Sequence, residues 1–286
     1  MNLLLKQTIV NKQSTIKITG SKSETNRLLL LQALYTNITI ENTSNSDDSR
    51  VMIQALKSQD TLIDVHHAGT TMRFLTAFFA IQEGREVTLT GSNRMKERPI
   101  KILVDALRQL GADISYEEKD GFPPLKIIGK KLKQNKVSLP ANVSSQYISA
   151  LLLIAPKLEN GLELTLEGEI TSIPYIKMTC ALLESLGITT RMEGSVIQVD
   201  PAPQVAPKTL VVESDWSSAS YYYSIIALSK EGTQIELSSF KENSLQGDAI
   251  LATIYEQMGV ETHYKKGNIT LIKNSKIINQ NIITLS

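Results

Sequence analysis

The sequence is poor in the residues that mark several large classes of protein. It has one cysteine, Cys180, so no internal disulfide can form, and a single thiol on an apolar helical run suits a reducing compartment. Three histidines make a poor zinc set, because His66 and His67 are neighbours that diverge on an extended chain and His263 stands alone. No apolar stretch approaches the roughly 18 residues of a membrane helix, and Met1-Asn2 lead straight into a strand-like run without a leader pattern. Aromatics are 5% of the 286 residues and the net charge is +1 with no dense basic run, which argues against nucleic acid as a partner. What remains, with 42% hydrophobic residues, is an ordinary globular chain with enough core for two domains. It is expected in the cytoplasm, with no membrane contact, no metal and no cofactor.

Against that background an internal repeat stands out. Runs at 22–35, 70–81, 144–153 and 217–228 read as helices, each opening on small or hydroxyl residues. A second helix follows in each unit, over 47–58, 99–110, 174–186 and 245–258. Gly111, Gly187 and Gly259 close three of these, as residues able to take the left-handed conformation after a helix. Paired strand-like runs follow at 113–128, 189–199 and 261–271. Runs at 14–19, 62–65, 136–139 and 210–213 are strands that feed the chain to each new helix start. Stacked units of this kind predict an α/β fold with a shared helical core. The Pro-rich passage 201–207 reads as a link between bodies. The expected division is residues 14–212 as one domain of three units and 1–13 plus 213–286 as a partial second domain. That second body is expected to leave Tyr222, Ile225, Ile226, Ile250 and Ile254 short of neighbours.

The helix openings share a chemistry. Gly20-Ser21-Lys22-Ser23 and Arg27 begin the first, Gly69-Thr70-Thr71-Met72-Arg73 the second, and Ser144-Ser145-Gln146 the third. Helix N-termini carry unpaired N–H groups and a partial positive charge, so they hold anions well. A hydroxyl cap is expected of any helix, but Lys or Arg close to two such caps runs against the dipole and points to an anionic ligand. Arg94-Met95-Lys96-Glu97-Arg98 adds three cations before Pro99, read as the first residue of a helix, with Arg98 and Arg94 as the bidentate contact groups. Ser172-Ile173-Pro174-Tyr175 opens the third unit's second helix in the same way. Asp47 and Asp48 read as helix-capping acids, and Trp216 with Tyr221 to Tyr223 as packing residues.

In order and spacing, Gly20-Ser21-Lys22-Ser23, Ala68-Gly69-Thr70-Thr71-Met72-Arg73, Arg94-Met95-Lys96-Glu97-Arg98-Pro99, Ser144-Ser145-Gln146-Tyr147 and Gln246-Gly247-Asp248 resemble the 5-enolpyruvylshikimate-3-phosphate (EPSP) synthase family along the whole chain. The resemblance implies an inside-out α/β barrel of βαβαββ-type units, the first domain complete and the second partial. It implies transfer of the enolpyruvyl group of phosphoenolpyruvate to the 5-hydroxyl of shikimate 3-phosphate, in aromatic amino-acid biosynthesis. The positions matching the family's shikimate 3-phosphate site are Lys22, Ser23, Arg27, Ser144, Ser145, Gln146, Ser172 and Tyr175. Those matching its phosphoenolpyruvate site are Lys22, Gly69, Thr70, Arg73, Arg98 and Gln146, with Lys22 also in the catalytic role.

Two departures qualify the resemblance. His67 stands where the family commonly has Asn, and an imidazole can still donate one hydrogen bond. The family's general-base Asp and its later Lys-Glu-x-x-Arg and Asp-His-Arg stretches have no counterpart in the 286 residues. Positioned acids and bases are worth about 10²- to 10⁴-fold each, so the expectation is a truncated chain that binds both substrates without turnover, and a monomer if complete. The alternatives are an inactive phospho-ligand-binding fragment, or the sister transferase that acts on a UDP-sugar and uses a loop cysteine. Cys180, inside an apolar helix, reads instead as a small buried hydrophobe.

Overall fold

The computed structural model describes residues 10–274. The first repeat contains β1 (Gln13–Ile16), α1 (Lys22–Leu34), β2 (Ile38–Glu41) and α2 (Asp47–Lys57). The second runs β3 (Leu62–Asp64), α3 (Gly69–Ala80), β4 (Glu86–Thr90), the short α4 (Asn93–Lys96), α5 (Lys101–Gln109), β5 (Asp113–Tyr116) and β6 (Leu125–Ile128). The third is β7 (Lys136–Pro140), α6 (Ser145–Ile154), β8 (Leu162–Glu167), α7 (Ile173–Ser185), β9 (Thr190–Glu193) and β10 (Val196–Val199). The fourth is β11 (Lys208–Val211), α8 (Trp216–Ala227), β12 (Gln234–Ser238), α9 (Leu251–Glu256), β13 (Val260–Lys265) and β14 (Asn268–Lys273).

Each four-stranded sheet has the same plan. In β3-β4-β6-β5 and in β7-β8-β10-β9 the feeder strand pairs in parallel with the strand after the first helix, and the hairpin closes on it antiparallel. Strands β1 and β11 depart from the expected pairing by trading places. β1 precedes α1 in the chain but pairs with β12, Gln13 opposite Gln234, in the sheet β1-β12-β14-β13. β11 precedes α8 but pairs with β2, Lys208 opposite Ile38. The chain accordingly forms two units, residues 22–212 and residues 10–21 with 213–274, and residues 14–21 lie in the smaller one. The expected contribution of residues 1–9 and 275–286 falls outside the described residues.

In the larger unit the helices α1, α3 and α6 are largely buried: α3 is buried along its whole length, and Leu28, Leu30, Phe74, Leu75, Leu151 and Leu152 meet in one core. The smaller unit has its own core, where Trp216 stands edge-on to Phe240 at 5.0 Å and packs near Tyr223 at 6.3 Å, over Ile235, Leu237, Ile269 and Leu271. Ile226, expected to lack cover, is fully inside this core, whereas Ile225 and Ile250 are exposed.

Two helix starts differ from expectation. α5 opens at Lys101, two residues beyond Pro99, because Ile100 at φ −139° breaks the run. Residues 93–96 form the separate α4, capped by Ser92, a helix that was not among those expected. Where a continuous helix over 245–258 was expected, a 3₁₀ turn, Gly247–Ile250, precedes the shorter α9. Gln246 spends its side chain on the backbone instead, accepting from Trp216 N–H at 3.1 Å and donating to Ser214 O at 2.8 Å.

Candidate active site

Polar side chains tie the starts of α1, α2, α3 and α6 together. Lys22, the first residue of α1, places Nζ 3.6 Å from Asp48 Oδ2 at the start of α2. Thr71 Oγ1 donates to Asp48 O at 3.0 Å, which brings in α3. Gln146 Nε2 donates to Thr70 Oγ1 at 3.2 Å and joins the start of α6 to that of α3. Ser144 caps α6, accepting Gln146 N–H at 3.3 Å, and Ser145 follows as its first residue. Four helix N-termini are thus assembled on one body, with a partial positive charge at each. Asp48, read as a capping acid, turns out to be the hinge pin among three of them.

Two of the predicted arginines are interior. Arg27 is 2% exposed, and its guanidinium donates to Thr179 Oγ1 at 2.8 Å, Ser149 Oγ at 2.9 Å and Ser23 O at 2.8 Å. It lies between the rings of Phe74 and Tyr175, at 5.5 and 5.7 Å from their centroids. Burial pushes its pKa down to about 10, with Tyr175 and Glu24 acting in the other direction, so it stays charged at neutral pH. Ser149 and Thr179 were missed in the sequence, although each is a hydroxyl set among apolar neighbours inside a helix. Arg73 is also buried and also lowered by desolvation; it donates to Gly69 O at 3.2 Å and Pro99 O at 3.1 Å. Tyr147 donates to the same carbonyl, Pro99 O, at 2.6 Å. Arg73 therefore holds the turn that presents Arg98.

Arg98 is exposed, and with His67, Arg94 and Met95 it lines a cavity of about 450 Å³. Among the described residues no carboxylate forms an ion pair with Arg94 or Arg98. Gly69 is where the arginine crosses α3: a Cβ there would stand 2.8 Å from Arg98 Cζ. Ser172 precedes α7 without a side-chain cap bond, and Tyr175, half-exposed, lies one turn on against Arg27. Gln246 and Asp248 belong to the smaller unit, where Asp248 accepts from Ser217 Oγ; their visible role there is structural. Cys180 is half-buried and burial raises its thiol pKa, which suits packing rather than nucleophilic chemistry.

The family profile of EPSP synthase (3-phosphoshikimate 1-carboxyvinyltransferase) matches residues 56–285. The chain belongs to the EPSP synthase family. A 3-phosphoshikimate 1-carboxyvinyltransferase of Bacteroides fragilis is 47% identical over 269 residues, covering 93% of this chain and 65% of the relative. Those of Shewanella pealeana and Haemophilus influenzae are 37% and 39% identical, covering 92% and 87% of this chain. The chain therefore spans about two thirds of the length of these curated relatives. The solved EPSP synthase of Acinetobacter baumannii superposes with a TM-score of 0.75 at 21% identity, over 92% of this chain and 65% of that one. The inside-out α/β fold of the family is thus the fold of this chain. Among the described residues no helix is long and apolar enough to cross a membrane.

Proposed function

We propose that this chain serves, in the cytoplasm, the transfer of the enolpyruvyl group of phosphoenolpyruvate to the 5-hydroxyl of shikimate 3-phosphate, with release of phosphate. The observation that carries the reading is the cluster of helix starts bound together by Lys22–Asp48, Thr71–Asp48 and Gln146–Thr70, beside a cavity whose two arginines have no carboxylate partner among the described residues. Such a surface favours ligands with several anionic oxygens. Shikimate 3-phosphate is assigned to Ser23, Arg27, Ser144, Ser145, Gln146, Ser172 and Tyr175. Phosphoenolpyruvate is assigned to Gly69, Thr70, Arg98 and Gln146, with Arg73 setting the Arg98 turn and Lys22 serving both anions. These residues bind and orient the substrates; proton transfer falls to acid and base groups with no matching position in the 286 residues.

Calorimetry with the 286-residue chain tests the reading. Shikimate 3-phosphate is expected to bind about 100-fold more tightly than shikimate, since charge-assisted hydrogen bonds to a phosphate are worth about 1.5–3 kcal/mol each. Equal affinity for the two would remove the phosphate site. A phosphate-release assay with both substrates, expected to stay at background, measures whether the chain alone supplies the proton-transfer groups.

A further inference from the structure

The cavity of Arg94 and Arg98 has a third polar wall that the reading above leaves without a task. His67 lines it, and its position is fixed by the backbone behind it. His66 O accepts Ser92 N–H at 3.1 Å, and only a glycine at 91 allows this approach, because a Cβ there would stand 2.7 Å from His66 O. His67 Nδ1 lies 2.7 Å from Ser92 Oγ. Ser92 Oγ already accepts Met95 N–H at 3.4 Å as the cap of α4, so its own hydrogen is available to Nδ1. That arrangement leaves the neutral ring's proton on Nε2 as the remaining donor. A second proton, on Nδ1, would turn the contact with Ser92 around without breaking it, since a hydroxyl accepts as readily as it donates.

We propose that His67 takes up a proton as an anion fills this cavity, so that the pocket binds phosphate- or carboxylate-bearing ligands more tightly as pH falls through the imidazole range. The inference rests on the assignment of the cavity as an anion site. The charges around His67 decide the sign. Arg94 and Arg98 share the cavity with it. Asp64 is engaged with His66, accepting its N–H at 2.7 Å, and Lys96 is paired with Glu118. Arg73 lies behind, turned to Gly69 O and Pro99 O, and Glu97 closes α4. A dianion held between the arginines favours a third positive charge beside them. A ligand that prefers the protonated form binds best where that form is populated, and its affinity is lost as pH rises.

Sulfate is the probe, because it remains a dianion from about pH 6 to 8 and any pH dependence then belongs to the protein. In NMR of the 286-residue chain, sulfate should move the ring titration of His67 to higher pH and leave that of His263 in place. Sulfate affinity should be about tenfold weaker at pH 8 than at pH 6, and His67→Asn, which keeps an N–H donor but cannot charge, should flatten that dependence. If sulfate perturbs the side-chain resonances of Arg94 and Arg98 while the His67 titration stays put, the proposal is wrong and the anion site stands. If sulfate perturbs neither arginine, the anion site falls and the proposal falls with it.

Discussion

At Gly69 the absence of a side chain lets Arg98 lie across the first turn of α3. Gly69→Ala would put a methyl 2.8 Å from Arg98 Cζ, and the guanidinium, as the far end of a flexible side chain, would yield before the backbone does. Stability should change by less than about 1 kcal/mol. Phosphoenolpyruvate affinity should fall at least about tenfold, because displacing a contact group by about 1 Å is costly in a positioned site, while shikimate 3-phosphate affinity should hold. Calorimetry with each ligand separates these, and an equal loss for both would show that Arg98 is not specific to one anion. Arg27 and Arg98, alike in sequence, differ most in stability. Arg27→Ala removes a buried group bonded to Ser149, Thr179 and Ser23 and should cost about 2–4 kcal/mol in urea unfolding. Arg98→Ala, at an exposed position, should cost no more than about 0.5 kcal/mol.

Among the elements, helix ends are set locally and strand partners are not. Gly111 and Gly187 directly follow the caps of α5 and α7 at φ of 102° and 80°, as their place after the last apolar turn suggests, whereas Gly259, at 76°, sits in the turn beyond the shorter α9. Gly187→Ala meets no atom within 4 Å, so its cost is the strained backbone alone, about 1 kcal/mol. Ligand affinity should be unchanged, and a larger loss of thermal stability would mean that the turn into β9 is propagated through the sheet. The cap at Ser144 was legible for the same reason, whereas α2 is capped by Ser46 and not by the acids Asp47 and Asp48, and the cap of α8 at Asp215 was not singled out. The exchange of β1 and β11 was not legible. Alternation along Gln13–Ile16 or Lys208–Val211 tells which face is buried, and either strand could satisfy a parallel neighbour. The site follows the same division. Its hydroxyl and Arg positions were read from helix openings, whereas the interior partners Ser149 and Thr179, the Pro99 carbonyl shared by Arg73 and Tyr147, and the Asp48 link depend on which helices become neighbours.

For the whole molecule, the exchange of strands makes the larger unit one continuous segment, residues 22–212. β1 pairs with β12, so cutting the chain before Lys22 removes none of the described strands from the sheets of that segment. β11 stays within it, and Val212 N–H donates to Glu41 O at 3.0 Å while Asn42 Nδ2 donates to Val212 O at 2.9 Å, so the last residues are pinned beside β2. Among the described residues, the core cluster of the larger unit draws its buried side chains from Leu28 to Val212. Burial of that core, at about 25 cal/mol per Å² of apolar surface, is the reason to expect the segment to hold its fold by itself. Every residue assigned to shikimate 3-phosphate, from Lys22 to Tyr175, is on it as well. The fragment 22–212 should unfold in one cooperative transition and bind shikimate 3-phosphate within about tenfold of the 286-residue chain, a difference of about 1.4 kcal/mol or less. Chemical denaturation followed by circular dichroism and calorimetry measures both. A broad, non-cooperative transition would show that the larger unit depends on the smaller for its fold. A cooperative fragment that binds more than about 100-fold weaker would show that the smaller unit supplies part of the site.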